Sequence, residues 1–192
     1  MRDPNMSAQE DQIRQCYGRI VYTHKTHEKS ADRLLTILHR WEYAQISVSL
    51  ILILSTLPSA LGLSIKFNEF PVIEVLAATS SAFLFGLSLH LKDANYKETA
   101  MRHQQTAMDL WLIREKYLSL ITDIHSNLAS MNEVQMRQER LLEDSSLIMK
   151  NAPRTDSKAY QLARTALKES EEMTFSDYEI DAFLPKKLRK LE

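Results

Sequence analysis

Two histidines three residues apart, His24 and His27 in "HKTHE", are the first residues whose spacing suggests chemistry. On a helix, i and i+3 share a face, so the two imidazoles could hold one metal ion. No third ligand follows at a recognisable interval, and the one cysteine, Cys16, is isolated. The pair reads more simply as two seam positions in a helix bundle. His39, His103 and His125 are single residues with no implied partner. The acidic pairs Glu143 with Asp144 and Glu171 with Glu172 are adjacent, so their members point to different helix faces and read as solvated. The sequence has no G-x-S-x-G, no P-loop and no dinucleotide fingerprint. With three glycines in 192 residues, a Gly-rich phosphate cradle has little to be built from. No enzyme, metal or cofactor is implied. The C-terminal cluster Lys186, Lys187, Arg189 and Lys190 reads as solubilising, and a net charge of −1 gives no global field for nucleic acid, so direct nucleic-acid binding is not indicated.

What such residues would be mounted on is clearer. Glycine and proline are scarce, which argues against a turn-dense β-fold and for helices. Two stretches lack any formal charge, Tyr43 to Ile65 and Val75 to Leu91, separated by "KFNEFPVIE". Ala44 to Ile65 would measure about 33 Å as a helix at ~1.5 Å per residue, which matches a hydrocarbon core of roughly 30 Å. A soluble core helix should break its apolar face with charge about every second turn, and neither run does. The runs therefore predict an antiparallel transmembrane hairpin, with spans 44–65 and 71–91 and a turn at 66–70. Pro71 suits the first turn of the second helix, where its missing N–H costs nothing. No h-region of a cleavable signal peptide is expected in "MRDPNMSAQEDQ". Lys25, Lys29, Arg33 and Arg40 precede the first span and Lys92, Lys97 and Arg102 follow the second, so the positive-inside rule puts both termini in the cytoplasm. A single cysteine fits a reducing compartment.

The flanks carry helical periodicity. Ile13, Ile20, His27, Leu34 and Trp41 recur every seven residues upstream, and Leu110, Tyr117, Ile124 and Met131 do so downstream. Such a stripe predicts amphipathic helices that assemble, with Ile20, Leu34, Trp41, Tyr117 and Ile124 as the oligomerisation seam. No Pro or Gly occurs between Gly86 and Pro153, so the second span can continue into a long helix, with a break expected near "SMNE", Ser130 to Glu133. "NAPRTDSK" is the clearest linker, and Ser176 with Glu179 spells a capping box ahead of a short helix stopped before Pro185. The expected organisation is an N-terminal cytoplasmic helix (1–43), the hairpin (44–91), a long cytoplasmic helix or helix pair (92–150), and a linker with short helices (151–192). The fold class is all-α: a membrane-embedded two-helix hairpin with long amphipathic cytoplasmic helices on both sides.

Within the second span, Ala78, Ala82 and Gly86 form a small-xxx-small ladder that permits close helix approach. Ser81 and Ser88 lie along another side, and with the interfacial Glu74 and His90 they are the pore-lining candidates. Hydroxyls in such helices are also satisfied by bonding back to the i−4 carbonyl, which needs no pore.

An N-terminal helix carrying the Tyr17 to Trp41 seam, the span pair, a long helix after "HLKDANYKETA" and a tail ending "EIDAFLPKKLRK" together resemble the SLATT domain, the SMODS and SLOG-associating effector with two transmembrane helices. The tail is most similar to the fifth SLATT subfamily. The resemblance implies a membrane effector of a bacterial anti-phage, abortive-infection type system in the inner membrane. A partner sensor, a nucleotidyltransferase or a reverse transcriptase, or its nucleotide or nucleic-acid product, would trigger it. Two helices cannot enclose an aqueous path, so permeation requires a homo-oligomer in membrane lipid. The competing expectation is a non-permeating membrane-anchored adaptor that recruits a cytoplasmic partner.

Overall fold

The computed structural model describes the backbone of residues 4–60 and 72–190 and the side chains of residues 6–57 and 75–190. Among the described residues the fold is all-α: α1 (Pro4–Ala60), α2 (Val72–Ala94), α3 (Tyr96–His125), α4 (Met131–Asn151), α5 (Ser157–Lys168), α6 (Asp177–Phe183) and a 3-10 turn, Lys186–Leu188.

Local chemistry explains the boundaries. Between α2 and α3 the chain breaks at one residue, Asn95, whose φ of 47° is left-handed and is tolerated by Asn better than by most side chains. Asn127, at φ 53°, ends α3; Leu128 N–H donates to Asp123 O at 2.9 Å, closing the last turn as a Schellman-type cap. Ser130 then caps α4, its hydroxyl accepting from Glu133 N–H, at the place the sequence puts a break. Asp156 caps α5 through Ala159 N–H at 2.7 Å. The expected capping box at Ser176 and Glu179 opens α6, with both reciprocal bonds present.

The chain divides into two compact units. The first contains Met1–Lys29 and Thr106–Glu192. Its core joins Ile13 and Cys16 of α1, Ile113, Tyr117, Leu120 and Ile124 of α3, and Val134 and Leu141 of α4, with Tyr17, Ile20 and Ile148 packed against them. On α5 the buried residues are Ala159, Ala163 and Ala166, a stripe of small side chains that permits close approach, and Tyr160 stacks on Tyr22 of α1 at 6.0 Å between ring centroids. The second unit is Ser30–Gln105, and in it Ser30, Ala31, Ala100 and His103 are buried.

The expected membrane-embedded two-helix hairpin is corrected here. Among the described residues, one helical stretch is long and apolar enough to cross a membrane; it begins at Val75, and none of its apolar window is buried. The run from Ala44 is not a separate element. It is the end of α1, a single helix of 57 residues that starts at Pro4, because no helix breaker other than Gly18 interrupts the sequence before Pro58. The expected turn at 66–70 lies outside the described residues. Among the described residues the fold is all-α with one candidate apolar helix.

Candidate functional site

The described residues of the second unit present many large apolar side chains outward. Ile46, Ile51, Ile53 and Leu54 of α1 and Val75, Leu76, Phe83 and Phe85 of α2 are each 56–66% exposed. A helix apolar on its outer faces is suited to lipid or to a partner protein and ill suited to water. Several of its hydroxyls are satisfied without solvent. Thr56 donates to Leu52 O at 2.8 Å, Thr79 to Val75 O at 2.9 Å, Ser81 to Ala77 O at 2.8 Å and Ser88 to Leu84 O at 2.9 Å. Each is a bond within one helix, which makes a polar side chain tolerable in an apolar medium. Gln45 of α1 donates its amide to the Ser88 hydroxyl at 2.8 Å, which gives the longest polar side chain of the α1 run a partner on α2.

The predicted site residues fall into two groups. Ala78, Ala82 and Gly86 are exposed, and a Cβ built on Gly86 would meet nothing within 4 Å, so the ladder has a free approach in the single chain. Ser81 and His90 are also exposed, while Ser88 is half-buried against Gln45. The side chain of Glu74 lies outside the described residues. Leu34 is half-buried and Trp41 exposed. The other members of the expected seam are placed differently: Tyr117 and Ile124 are 1% and 2% exposed in the first unit's own core, and Ile20 packs against that core. A heptad stripe reports only that a helix face is apolar, and here α1, α3 and α4 of the same chain cover one another's stripes.

In the first unit the residues singled out for chemistry become structural. The His24 Nδ1–H donates to Ala107 O at 2.8 Å, and the ring lies 5.6 Å from the Trp111 ring. His27 is buried as well. Among the described residues no three His, Cys, Asp or Glu side chains cluster as a metal site. Arg114 stacks its guanidinium over Trp111 at 4.5 Å from the centroid. Burial of the Tyr117 phenol, with a contribution from the neighbouring Cys16 thiol, pushes its pKa up to about 12.

A family model described as the SMODS and SLOG-associating 2TM effector domain family 4 matches residues 9–179. The chain belongs to this family. The match runs from the first turns of α1 into α6, so both units of this SLATT domain are included. It also corrects the subfamily: the tail resembles the fifth, but the model that matches is the fourth, and the match ends at residue 179, before "FLPKKLRK". SLATT domains are effector modules of anti-phage systems without catalytic activity. Neither the curated proteins nor the solved structures gave a match.

The structure also adds residues that the sequence reading missed. Glu172, read as solvated, accepts from Lys25 at 2.6 Å and from Lys29 at 3.0 Å, tying the segment after α5 to α1. Burial pushes the Lys25 ammonium down, but bonds to Glu172 and Glu28 outweigh it and its pKa stands above the ordinary lysine value. The same bonds, from Lys25 and then Lys29, hold the Glu172 carboxyl below the ordinary range. Glu171 and Met173, on either side of Glu172, both have positive φ, 49° and 72°, so this clamp sits in strained backbone. Asp144, also read as solvated, pairs with Lys116 of α3 at 3.2 Å. Neither partner could be found by local spacing, since Lys25 and Glu172 meet only when α1 and the segment after α5 pack together.

Proposed function

We propose that this SLATT domain is the membrane-acting end of an anti-phage response. Copies assemble through the apolar second unit in the bacterial inner membrane and open a permeation path when a sensor enzyme, a nucleotidyltransferase or a reverse transcriptase, or its product, signals. The observation that carries the reading is the exposed apolar surface of the second unit, in a chain whose first unit has an ordinary buried core. The first unit carries the basic Lys25 and Lys29, which supports placing it on the cytoplasmic side.

Assembly needs a free surface. A groove of about 540 Å³ along Glu42, Gln45, Ile46, Ser49, Leu50 and Ile53 of α1 is unfilled in one chain and would receive a second copy. The ladder Ala78, Ala82 and Gly86 offers close approach on α2, with Leu34 and Trp41 extending the contact. Ser81, Ser88, Glu74 and His90 are the candidate lining of the path. A signal that repacks the first unit would move the helices it shares with the second, α1 and α3.

The test is permeability. In liposomes carrying a trapped dye and potassium, the protein should release potassium, and its overproduction should be toxic to cells. Gly86→Leu should remove both effects together with cross-linking between copies. Ser81→Leu should lower conductance and leave cross-linking intact. If both variants keep wild-type toxicity and leakage, the pore reading fails. A membrane-bound wild type that neither leaks nor harms cells would leave the adaptor as the function.

A further inference from the structure

Helices α3 and α4 of the first unit are joined by two ion pairs. Arg137 Nη1 meets Asp123 Oδ2 at 2.6 Å, and Lys116 Nζ meets Asp144 Oδ2 at 3.2 Å. Both pairs obey one antiparallel register, in which each step forward along α4 is a step back along α3. That register sets Leu120 opposite Arg140 and Ser119 opposite Leu141. Between the pairs lies a cleft of about 280 Å³ lined by Lys116, Ser119, Arg137, Arg140, Leu141 and Asp144.

The charges in this cleft do not cancel. Asp123 and Asp144 are each matched by a cation from the opposite helix, whereas Arg140, exposed at the cleft, makes no hydrogen bond or ion pair among the described residues. Ser119 of α3, one position from the residue across from Arg140, lines the same cleft, can donate a hydroxyl hydrogen and carries no compensating charge. A free guanidinium fork, a hydroxyl and two further cations line the cleft, and its one carboxylate, Asp144, is already engaged by Lys116.

We infer that this cleft binds a phosphate-bearing small molecule, with Arg140 as its principal ligand. A guanidinium fork matches two phosphate oxygens at once, and a tetrahedral group can also reach Ser119 on the facing helix. A phosphate still has a third oxygen to offer Ser119 once the fork has taken two. Buried Leu141 forms an apolar floor. The volume lies at the small end of the roughly 300–1,000 Å³ typical of ligand pockets, so it suits a mononucleotide or a sugar phosphate. The site belongs to the first unit and goes beyond the permeation reading without resting on it, so leakage and ligand binding can succeed or fail separately.

Calorimetric titration of the full chain in neutral detergent, at matched ionic strength in sodium chloride, tests the inference with inorganic phosphate and adenosine 5′-monophosphate as probes. Saturable binding of at least one probe is expected. Arg140→Gln should weaken it at least tenfold while leaving the melting midpoint of the free protein unchanged, because the side chain is exposed and unpaired. Arg140→Lys keeps the charge without the fork and should retain part of the affinity. The inference is overturned if neither probe binds the wild type, or if Arg140→Gln binds as well as wild type. Arg140-dependent binding of a polyglutamate peptide, with both phosphate probes inert, also overturns it and assigns the cleft to an acidic protein segment.

Discussion

Ile124→Ala distinguishes a side chain that holds one chain together from one that joins two. Ile124 is 2% exposed in the cluster with Leu120, Val134 and Leu141. The substitution removes three carbons, worth about 2.4 kcal/mol at ~0.8 kcal/mol per buried methylene. The vacated volume cannot fully collapse between two helices pinned by the Arg137–Asp123 and Lys116–Asp144 pairs, so the total should reach about 3–4 kcal/mol, within the range of such substitutions. Against a typical domain stability of ~5–15 kcal/mol this is a large loss. The assay is urea unfolding of the full chain in detergent, followed by Trp111 fluorescence in a Trp41→Phe background. The loss should be the same over a hundredfold range of protein concentration, because the cavity lies within one chain. A loss below about 1 kcal/mol would refute the burial argument. A loss that varies with concentration would return Ile124 to an interface between copies. Leu54→Ala, at 60% exposed in the second unit, is the contrast and should cost well under half as much.

The lysine clamp predicts a pH dependence with a defined sign. Glu172 has a lowered folded pKa, so its contribution is complete above the unfolded carboxyl value of about 4.3 and disappears as pH falls through the folded value. Lys25 has a raised folded pKa, so its contribution is complete below the unfolded value of about 10.4 and is lost only as pH rises through the folded one. Hydrogen exchange in residues 169–176, corrected for intrinsic rates, should therefore accelerate below about pH 4.3, and Glu172→Gln should show the fast rate already at pH 7. Equal exchange in wild type and variant at pH 7 would count against the clamp. Ser81→Ala should change stability by less than about 0.5 kcal/mol in thermal unfolding, since that hydroxyl serves only its own helix. Ser130→Ala removes the α4 cap and should cost about 1 kcal/mol in the same measurement.

Local order was legible in the residues themselves. The scarcity of glycine and proline gave helices throughout, and Ser130, Asp156 and Ser176 stand where α4, α5 and α6 begin, because a cap depends on a side chain and a backbone N–H only two or three residues apart. The charge-free runs likewise marked the second unit as apolar before its exposure was known. Partnership was not legible. The heptads in α1, α3 and α4 specify an apolar face, but the same face fits another chain as well as a neighbouring helix, and only the packing of Ile13 and Cys16 with Tyr117 and Val134 assigned it to the core of one chain. The Glu172 clamp and the unpaired Arg140 were hidden for the same reason. Their partners, or the lack of one, follow from helix register across 28 residues for Lys116 with Asp144 and 143 for Lys29 with Glu172, distances at which sequence spacing carries no geometric information. Sequence determined what each helix is made of, and tertiary structure decided which face meets what, because burial is a property of pairs of surfaces and not of one strip of residues.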